Sequence, residues 1–237
     1  MDENNPLYLL TKLDYCTGCG CCRNICSVNA IEMEYDDSGY LRPRIDTEKC
    51  VHCMKCVNAC PKLNDWGWND KNDLTPHCYA FQAKNEIREK SSSGGFFSAI
   101  ASYVFKRGGY VYGAVWDEGF YCKIVEGENF DSIEPMRCSK YVQSSTDDTF
   151  IQVKNRLLLG KIVAYFGCPC QILGLKSYIK NSNIPSELTE NLITVDLLCF
   201  YAPSNELFRK YLDEEYGLEN IHSVNFRYKP AVEDNNH

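Results

Sequence analysis

The sequence predicts two folds in series: a small α+β module built around metal, covering residues 1–66, and an α/β domain with a mixed, mostly parallel sheet, covering residues 78–237. Three observations lead there. A repeat of four cysteines occurs twice between residues 16 and 60, a polar stretch over 67–77 breaks the pattern, and apolar strand-like runs then alternate with helices. The chain has 237 residues, 44% hydrophobic and 24% charged, enough for a small and a medium core. Its net charge of -7 leaves no basic footprint for nucleic acid, and an anionic membrane surface would repel it. The opening MDENNPLYLL lacks the basic region and apolar run of a secretory signal. No stretch reaches the ~18 apolar residues of a membrane span. A cytoplasmic, reducing setting is therefore expected, in which 15 cysteines, an odd number, serve as metal ligands sooner than as disulfides.

Within CTGCGCCRNIC, Cys16, Cys19, Cys22 and Cys26 are spaced C-x2-C-x2-C-x3-C. A shift of 34 residues finds Cys50, Cys53, Cys56 and Cys60 at the same spacing, followed by Pro61. Such a match at one offset marks a duplicated unit. Three cysteines at two-residue gaps wrap three corners of an iron–sulfur cube, while the fourth starts a helix pointing away and reaches the other cluster. The exchange predicts two [4Fe–4S] clusters, one on Cys16, Cys19, Cys22 and Cys60, the other on Cys50, Cys53, Cys56 and Cys26. Zinc also uses C-x2-C pairs, but a run of four repeated in full, with Pro after the last, favours the clusters. Ser27 stands where Pro is usual in the first repeat, and Cys21 has no ligand role and is expected to pack. Between the repeats, AIEMEYDDSGYLRPRID (30–46) reads as a hairpin around DDSG. A ferredoxin-like dicluster module of this size depends on its metals, because its core alone is marginal.

WGWNDKNDLTPH reads as the linker, its tryptophans packing one domain on the other. CYAFQA then suggests a strand, and SSSGGFFSAIASYVFKRGG a helix with Phe97, Ile100, Ala101, Val104 and Phe105 on one face. YVYGAVWD and YCKIVEG are strands, TDDTFIQVKNRLLLG a helix, and KIVAYFG an apolar strand. CQILGLKSYIK is helical, LITVDLLCF a strand, NELFRKYLDEEYG a helix, and IHSVNFRYK a closing strand. Continuous apolar strands alternating with helices imply a sheet covered on both faces.

Three junctions carry possible chemistry. SSSGG at 91–95 opens a helix, where amides and the helix dipole can hold a phosphate; Ser and Gly are also ordinary caps there. CSKYVQS at 138–144 sets Lys140 and Tyr141 in a turn-like segment. YFGCPCQ at 165–171 turns an apolar strand into a helix, the ligand-binding edge of an open sheet. Cys168 and Cys170 are one residue apart, which suits neither a C-x2-C pair nor a complete cluster site.

Taken in order behind the dicluster module, SSSGG, SKYVQS, GCPCQILGLK, TVDLLCFYAPS and NFRYK resemble the beta subunit family of coenzyme F420-dependent hydrogenases and dehydrogenases, from about residue 12 to residue 229. The resemblance implies an iron–sulfur flavoprotein oxidoreductase, of a kind common in anaerobic bacteria. It would pass electrons between the clusters and FAD, exchange hydride with coenzyme F420 or another organic substrate, and meet a redox partner protein. The motif positions fall on Ser92, Ser93, Gly94, Gly95, Lys140, Tyr141, Ser144, Gly167, Pro169, Cys170 and Gln171, continuing through Asp196, Cys199, Pro203 and Ser204. The SSGG helix start is expected to suit the FAD pyrophosphate, Gln171 and nearby amides the isoalloxazine, and Lys140 the anionic reduced flavin. No catalytic residue is identified. The chain departs from the family pattern in Cys138, where Gly is usual, and in Phe200 and Tyr201 after Cys199, where His-Gly is frequent. It ends in PAVEDNNH where family members usually continue with further cysteines. The α/β domain is therefore expected to be C-terminally short. The alternative expectation is a non-enzymatic dicluster electron carrier whose α/β domain only docks a partner.

Overall fold

In the repeat region each four-cysteine run closes into a short helix, α1 (Cys21–Ile25) and α2 (Lys55–Asn58), in a computed structural model that describes residues 10, 15–64 and 77–228. Most of the expected linker and the PAVEDNNH tail lie outside the described residues. Strands β1 (Ile31–Tyr35) and β2 (Leu41–Ile45) form the expected antiparallel hairpin, with Ile31 opposite Ile45 and Tyr35 opposite Leu41. The Asp36 carboxylate closes its turn, accepting from the amides of Ser38 (3.0 Å) and Tyr40 (2.9 Å). Ile31 and Ile45 then pack with Leu10, Cys22, Cys56 and Cys60 into a small core.

The second part runs α3 (Asn85–Glu89), α4 (Phe96–Phe105), β3 (Tyr110–Trp116), β4 (Cys122–Gly127), α5 (Phe130–Ile133), β5 (Ser144–Ser145), α6 (Thr149–Leu158), β6 (Val163–Gly167), α7 (Pro169–Lys180), α8 (Ser186–Thr189), β7 (Leu192–Asp196) and α9 (Asn205–Tyr216). The sheet order is β5-β4-β3-β6-β7. Only β3 and β4 pair antiparallel; β4–β5, β3–β6 and β6–β7 are parallel. The fold class is thus a dicluster ferredoxin module followed by an α/β domain with a mixed, mostly parallel sheet.

Strand β6 explains its own apolar sequence. Val163 and Tyr165 face a core built on α6 and α7 with Phe150, Val153, Leu157, Ile172 and Leu175, while Ala164 and Phe166 face Ala101 and Val104 of α4. A strand buried on both sides has no polar side to display. Cys21 and Ala59, from the repeats, belong to the α6–α7 core. The Cys21 thiol donates to the Ala59 carbonyl (3.3 Å), which also accepts from the Ser177 hydroxyl of α7 (2.7 Å). The fifth thiol of the opening run is therefore a buried packing residue that joins the two parts.

Two expected strands are absent. Residues 78–83 pair through a single amide, that of Ala83, with the Gly94 carbonyl (2.7 Å). Residues 221–228 form no ladder; the Trp116 indole N–H donates to the Val224 carbonyl (3.3 Å), and the Phe226 ring packs on Phe208 and Tyr141 at 5.3 Å. Both sides of β3 are already occupied, so this segment covers a face of the sheet instead of extending it. LITVDLLCF leaves the sheet after Asp196, where its partner β6 ends at Gly167.

Candidate iron–sulfur and cofactor site

Cys16, Cys19, Cys22 and Cys60 line one cavity of about 220 Å³, although Cys60 is 34 residues beyond its counterpart in the first run. Pro61 and Lys62 border it on the module side, and Pro169, Cys170, Leu173 and Cys199 close it from the α/β domain. Among the described residues, no three His, Cys, Asp or Glu side chains close on a single ion. The four thiols ring a space several waters in size, walled largely by sulfur and carbon. Such a donor set fits a [4Fe–4S] cluster, which takes thiolate corners. Burial pushes the Cys19 thiol up to about 12, with the Cys21 amide opposing, and raises the Cys22 thiol well above its ordinary value. Ligation must therefore release protons from these thiols.

The other ligand set gathers at the far end of the repeat. Cys26 and Cys50 pack against the core that contains Cys56, and Cys56 lies within electrostatic reach of both Cys26 and Cys53. Burial raises the Cys56 thiol to about 11, whereas Cys53 is exposed. The structure thus brings Cys60 to the first run and Cys26 to the second.

The loop of the first cavity is held by residues that sequence reasoning missed. The Gln143 side chain donates to the Thr17 carbonyl (3.2 Å) and accepts from the Leu41 amide (2.8 Å). The Thr146 hydroxyl donates to the Cys19 carbonyl (3.2 Å), and Asn24 of α1 donates to the Asp147 carbonyl (2.7 Å). Gln143 falls inside the quoted SKYVQS motif but had no assigned role.

The motif positions in the α/β domain converge in part. Gly95, in the left-handed region at φ 87°, opens α4 with no side chain capping its amides. Ser92 lies against the 138–144 segment: its hydroxyl accepts from the Ser139 amide (2.8 Å) and meets the Ser139 hydroxyl at 3.1 Å. Arg137 reaches the same corner, donating to the Ser98 hydroxyl of α4 (2.8 Å) and pairing with Glu134 (3.1 Å), while its buried Nε has no partner. No sequence signal marks this arginine. At the other end of the segment, Gln171 donates to the Ser144 carbonyl (3.0 Å) and hydroxyl (2.9 Å), and accepts from the Cys168 amide (3.0 Å).

Two motif side chains turn inward. Gln171 is buried, with its amide bonded at both ends inside the fold, and so fixes the turn that presents Pro169 and Cys170. The Lys140 ammonium donates to the carbonyls of Pro135 (2.7 Å), Arg137 (2.8 Å) and Cys138 (3.2 Å). Its burial lowers it to about 8. Lys140 ties its own loop, and Tyr141 stands half exposed beside Phe226, bonded to Arg227 (3.2 Å). A Cβ added at Gly167 would approach Gln171 at 3.1 Å, so the absent side chain makes room for that clasp.

Comparisons with known proteins fit this arrangement. Residues 15–64 match a model described as a 4Fe-4S dicluster domain, and a second model of that description matches residues 42–95. A dicluster domain joined to an α/β domain defines an iron–sulfur electron-transfer protein. Residues 160–237 match a model described as the C terminus of the coenzyme F420 hydrogenase/dehydrogenase beta subunit. One similar protein is a component of the Na(+)-translocating ferredoxin:NAD(+) oxidoreductase complex of Acetobacterium woodii, 45% identical over 47 residues, covering 20% of this chain and 13% of that protein. Another is an uncharacterised polyferredoxin-like protein of Methanocaldococcus jannaschii, 39% identical over 72 residues, covering 27% of this chain and 39% of that protein. Among solved structures, a chain of the F420-reducing [NiFe] hydrogenase complex from Methanosarcina barkeri aligns with TM-score 0.46 and 19% identity over 56% of this chain and 47% of that one. The chain thus spans less than half the length of each of these relatives. No described helix is long and apolar enough to cross a membrane.

Proposed function

We propose that the chain is an iron–sulfur flavoprotein oxidoreductase that carries its [4Fe–4S] clusters on Cys16, Cys19, Cys22, Cys60 and on Cys50, Cys53, Cys56, Cys26, and binds FAD on its α/β domain. The observation that supports this reading most is the course of residues 138–146. Ser139 touches the SSSGG loop, Ser144 holds Gln171, and Gln143 and Thr146 grip the first cysteine loop. One segment therefore links an anion-binding helix start to the wall of the first cavity. The uncapped amides of α4 and the unpartnered Arg137 Nε suit a pyrophosphate. Phe81 and Phe96, half exposed with ring centroids 5.4 Å apart, offer an aromatic wall beside that loop for a flat ring. When bound, FAD would supply two-electron hydride chemistry, with coenzyme F420 or another organic molecule as the exchange partner; the clusters carry single electrons. The residues of this chain contribute position: Lys140 and Gln171 hold the two loops, and Gln143 and Thr146 keep them against the module.

The test is acid-released flavin per chain on protein reconstituted without oxygen. The expected result is about one FAD beside about eight irons per chain, with flavin retention falling at least tenfold in Arg137→Gln while iron is unchanged. About eight irons with no flavin, even after incubation with FAD, would leave a dicluster carrier whose α/β domain docks a partner.

A further inference from the structure

Two cysteines outside the repeat, Cys170 and Cys199, line the first cavity, Cys168 stands at the head of the helix that carries Cys170, and the reading above gives none of the three a redox role. Register brings them together. Gly167 of β6 stands opposite Asp196 of β7, and the Leu197 amide bonds the Gly167 carbonyl (2.9 Å). Both chains leave the sheet at this point, one into Cys168 and Cys170 and the other into Cys199. That placement brings the Cys168 and Cys199 side chains within electrostatic reach of each other. Cys170 and Cys199 line the cavity that holds Cys16, Cys19, Cys22 and Cys60, and Cys170 lies within electrostatic reach of Cys19. Cys199 is exposed, and the neighbouring Leu198, Phe200 and Tyr201 are 94%, 87% and 94% exposed, so Cys199 is open to solvent on one side and lines the cavity on the other.

We propose that Cys168 and Cys199 form a dithiol–disulfide couple that exchanges two electrons with the clusters of the repeat. The inference rests on the cluster reading above. In the reducing direction the Cys168–Cys199 S–S bond breaks, two electrons arrive, one from each of two reduced [4Fe–4S] clusters, and two protons from water complete two S–H bonds. Oxidation runs the same balance backwards. Two one-electron carriers thus match one two-electron couple, with Cys170 within electrostatic reach of both Cys199 and Cys19. The outer partner is a disulfide or dithiol compound that reaches Cys199, since thiol–disulfide exchange needs an accessible attacking thiol and a resolving neighbour.

The test is a reductive titration of the holoprotein under argon after equilibration with oxidised glutathione and removal of the reagent, followed by quenching with N-ethylmaleimide and peptide mapping. Wild type is expected to yield a linked Cys168–Cys199 peptide and to take up two more electrons per chain than Cys199→Ser, after which both thiols are alkylated. Equal electron uptake in the two proteins, with Cys168 and Cys199 alkylated before reduction, overturns the inference. Linkage of Cys170 to Cys199 in place of Cys168 also overturns it. Iron content and the reduced-cluster electron paramagnetic resonance signal, read on the same samples, separate this failure from failure of the cluster reading. Unchanged iron with no extra electrons sinks only the thiol couple; absent iron sinks both.

Discussion

The two cysteine loops share one spacing and one backbone, yet they live in different surroundings. Gly18 and Gly20 of the first loop adopt φ of 67° and 75°; 34 residues on, His52 and Met54 adopt 52° and 61°. Both loops therefore use the left-handed region at the same two register positions. In the second loop ordinary side chains bear the cost, roughly 1–2 kcal/mol each. In the first, glycine does more than relieve the backbone. A Cβ on Gly18 would meet the Leu41 carbonyl oxygen at 2.6 Å as well as the Gln143 amide, and one on Gly20 would meet the Thr146 hydroxyl. The first loop is pressed into the α/β domain, whereas His52 and Cys53 are exposed and Val51 is 61% exposed. One cysteine run thus faces the α/β domain and the other faces outward, as the inner and outer electron stations of the proposed cluster pair would.

The most direct way to break this comparison is to place the same side chain in both loops. Gly18→Ala adds a left-handed alanine and a clash with a backbone carbonyl that cannot swing aside, so a loss of about 2–4 kcal/mol is expected. His52→Ala keeps a Cβ at the equivalent position and is expected to stay within about 0.5 kcal/mol. Thermal unfolding and iron content measure both. Equal effects in the two variants would mean that the first loop does not depend on the α/β domain.

The contrast was partly legible beforehand. The repeat singled out eight cysteines, because iron–sulfur ligation is written in short local spacings, and it held Gly18 and Gly20 beside His52 and Met54 in plain view. Alternating apolar runs placed the hairpin and the main strands of the sheet in the right order of elements, since burial on one or two faces leaves a period in the sequence. Residues 78–83 and 221–228 have strand-like composition too, but composition does not say whether a sheet has a free edge for them. Side-chain partners across more than a hundred residues, such as Gln143 with Thr17 or Cys21 with the α7 core, leave no local pattern at all. Nor does the inward turn of Lys140 and Gln171, whose roles depend on which carbonyls the folded loops leave open.

A second, smaller perturbation approaches the first loop from the α/β side. Gly174 of α7 has no Cβ, and one built there would stand 3.0 Å from the Cys19 sulfur, 3.2 Å from its Cβ and 3.4 Å from the Phe150 ring. Gly174→Ala is expected to cost about 1–3 kcal/mol by overpacking a filled core. It should also alter the electron paramagnetic resonance signal of one cluster and leave the other unchanged. Gly160→Ala, with nothing within 4 Å of the new Cβ, serves as the control, with a cost of about 1 kcal/mol from its backbone alone. Perturbation of both cluster signals by Gly174→Ala would show that the two stations share one environment.

The finest distinction between the loops is electrostatic. The Arg42 guanidinium donates to the Cys16 carbonyl and to the Asp36 carboxylate (2.9 Å), so a cation sits on the first loop, partly offset by its carboxylate. Asp36 is held below the ordinary carboxylate range: what burial it has works against ionisation, but the Arg42 and backbone hydrogen bonds prevail. The pair is about one-third exposed, so Arg42→Gln should cost no more than about 1 kcal/mol of stability. Its effect on redox should be confined to one station. An interaction of about 1 kcal/mol between the cation and an added electron corresponds to roughly 40 mV for a one-electron couple. Removal of the guanidinium leaves Asp36 uncompensated and favours the oxidised cluster. The midpoint of the inner cluster is therefore expected to fall by about that amount, with the outer one unmoved in the same spectroelectrochemical titration. A matching fall in both midpoints would mean that the charge acts at long range, and that the inner and outer loops differ in packing alone.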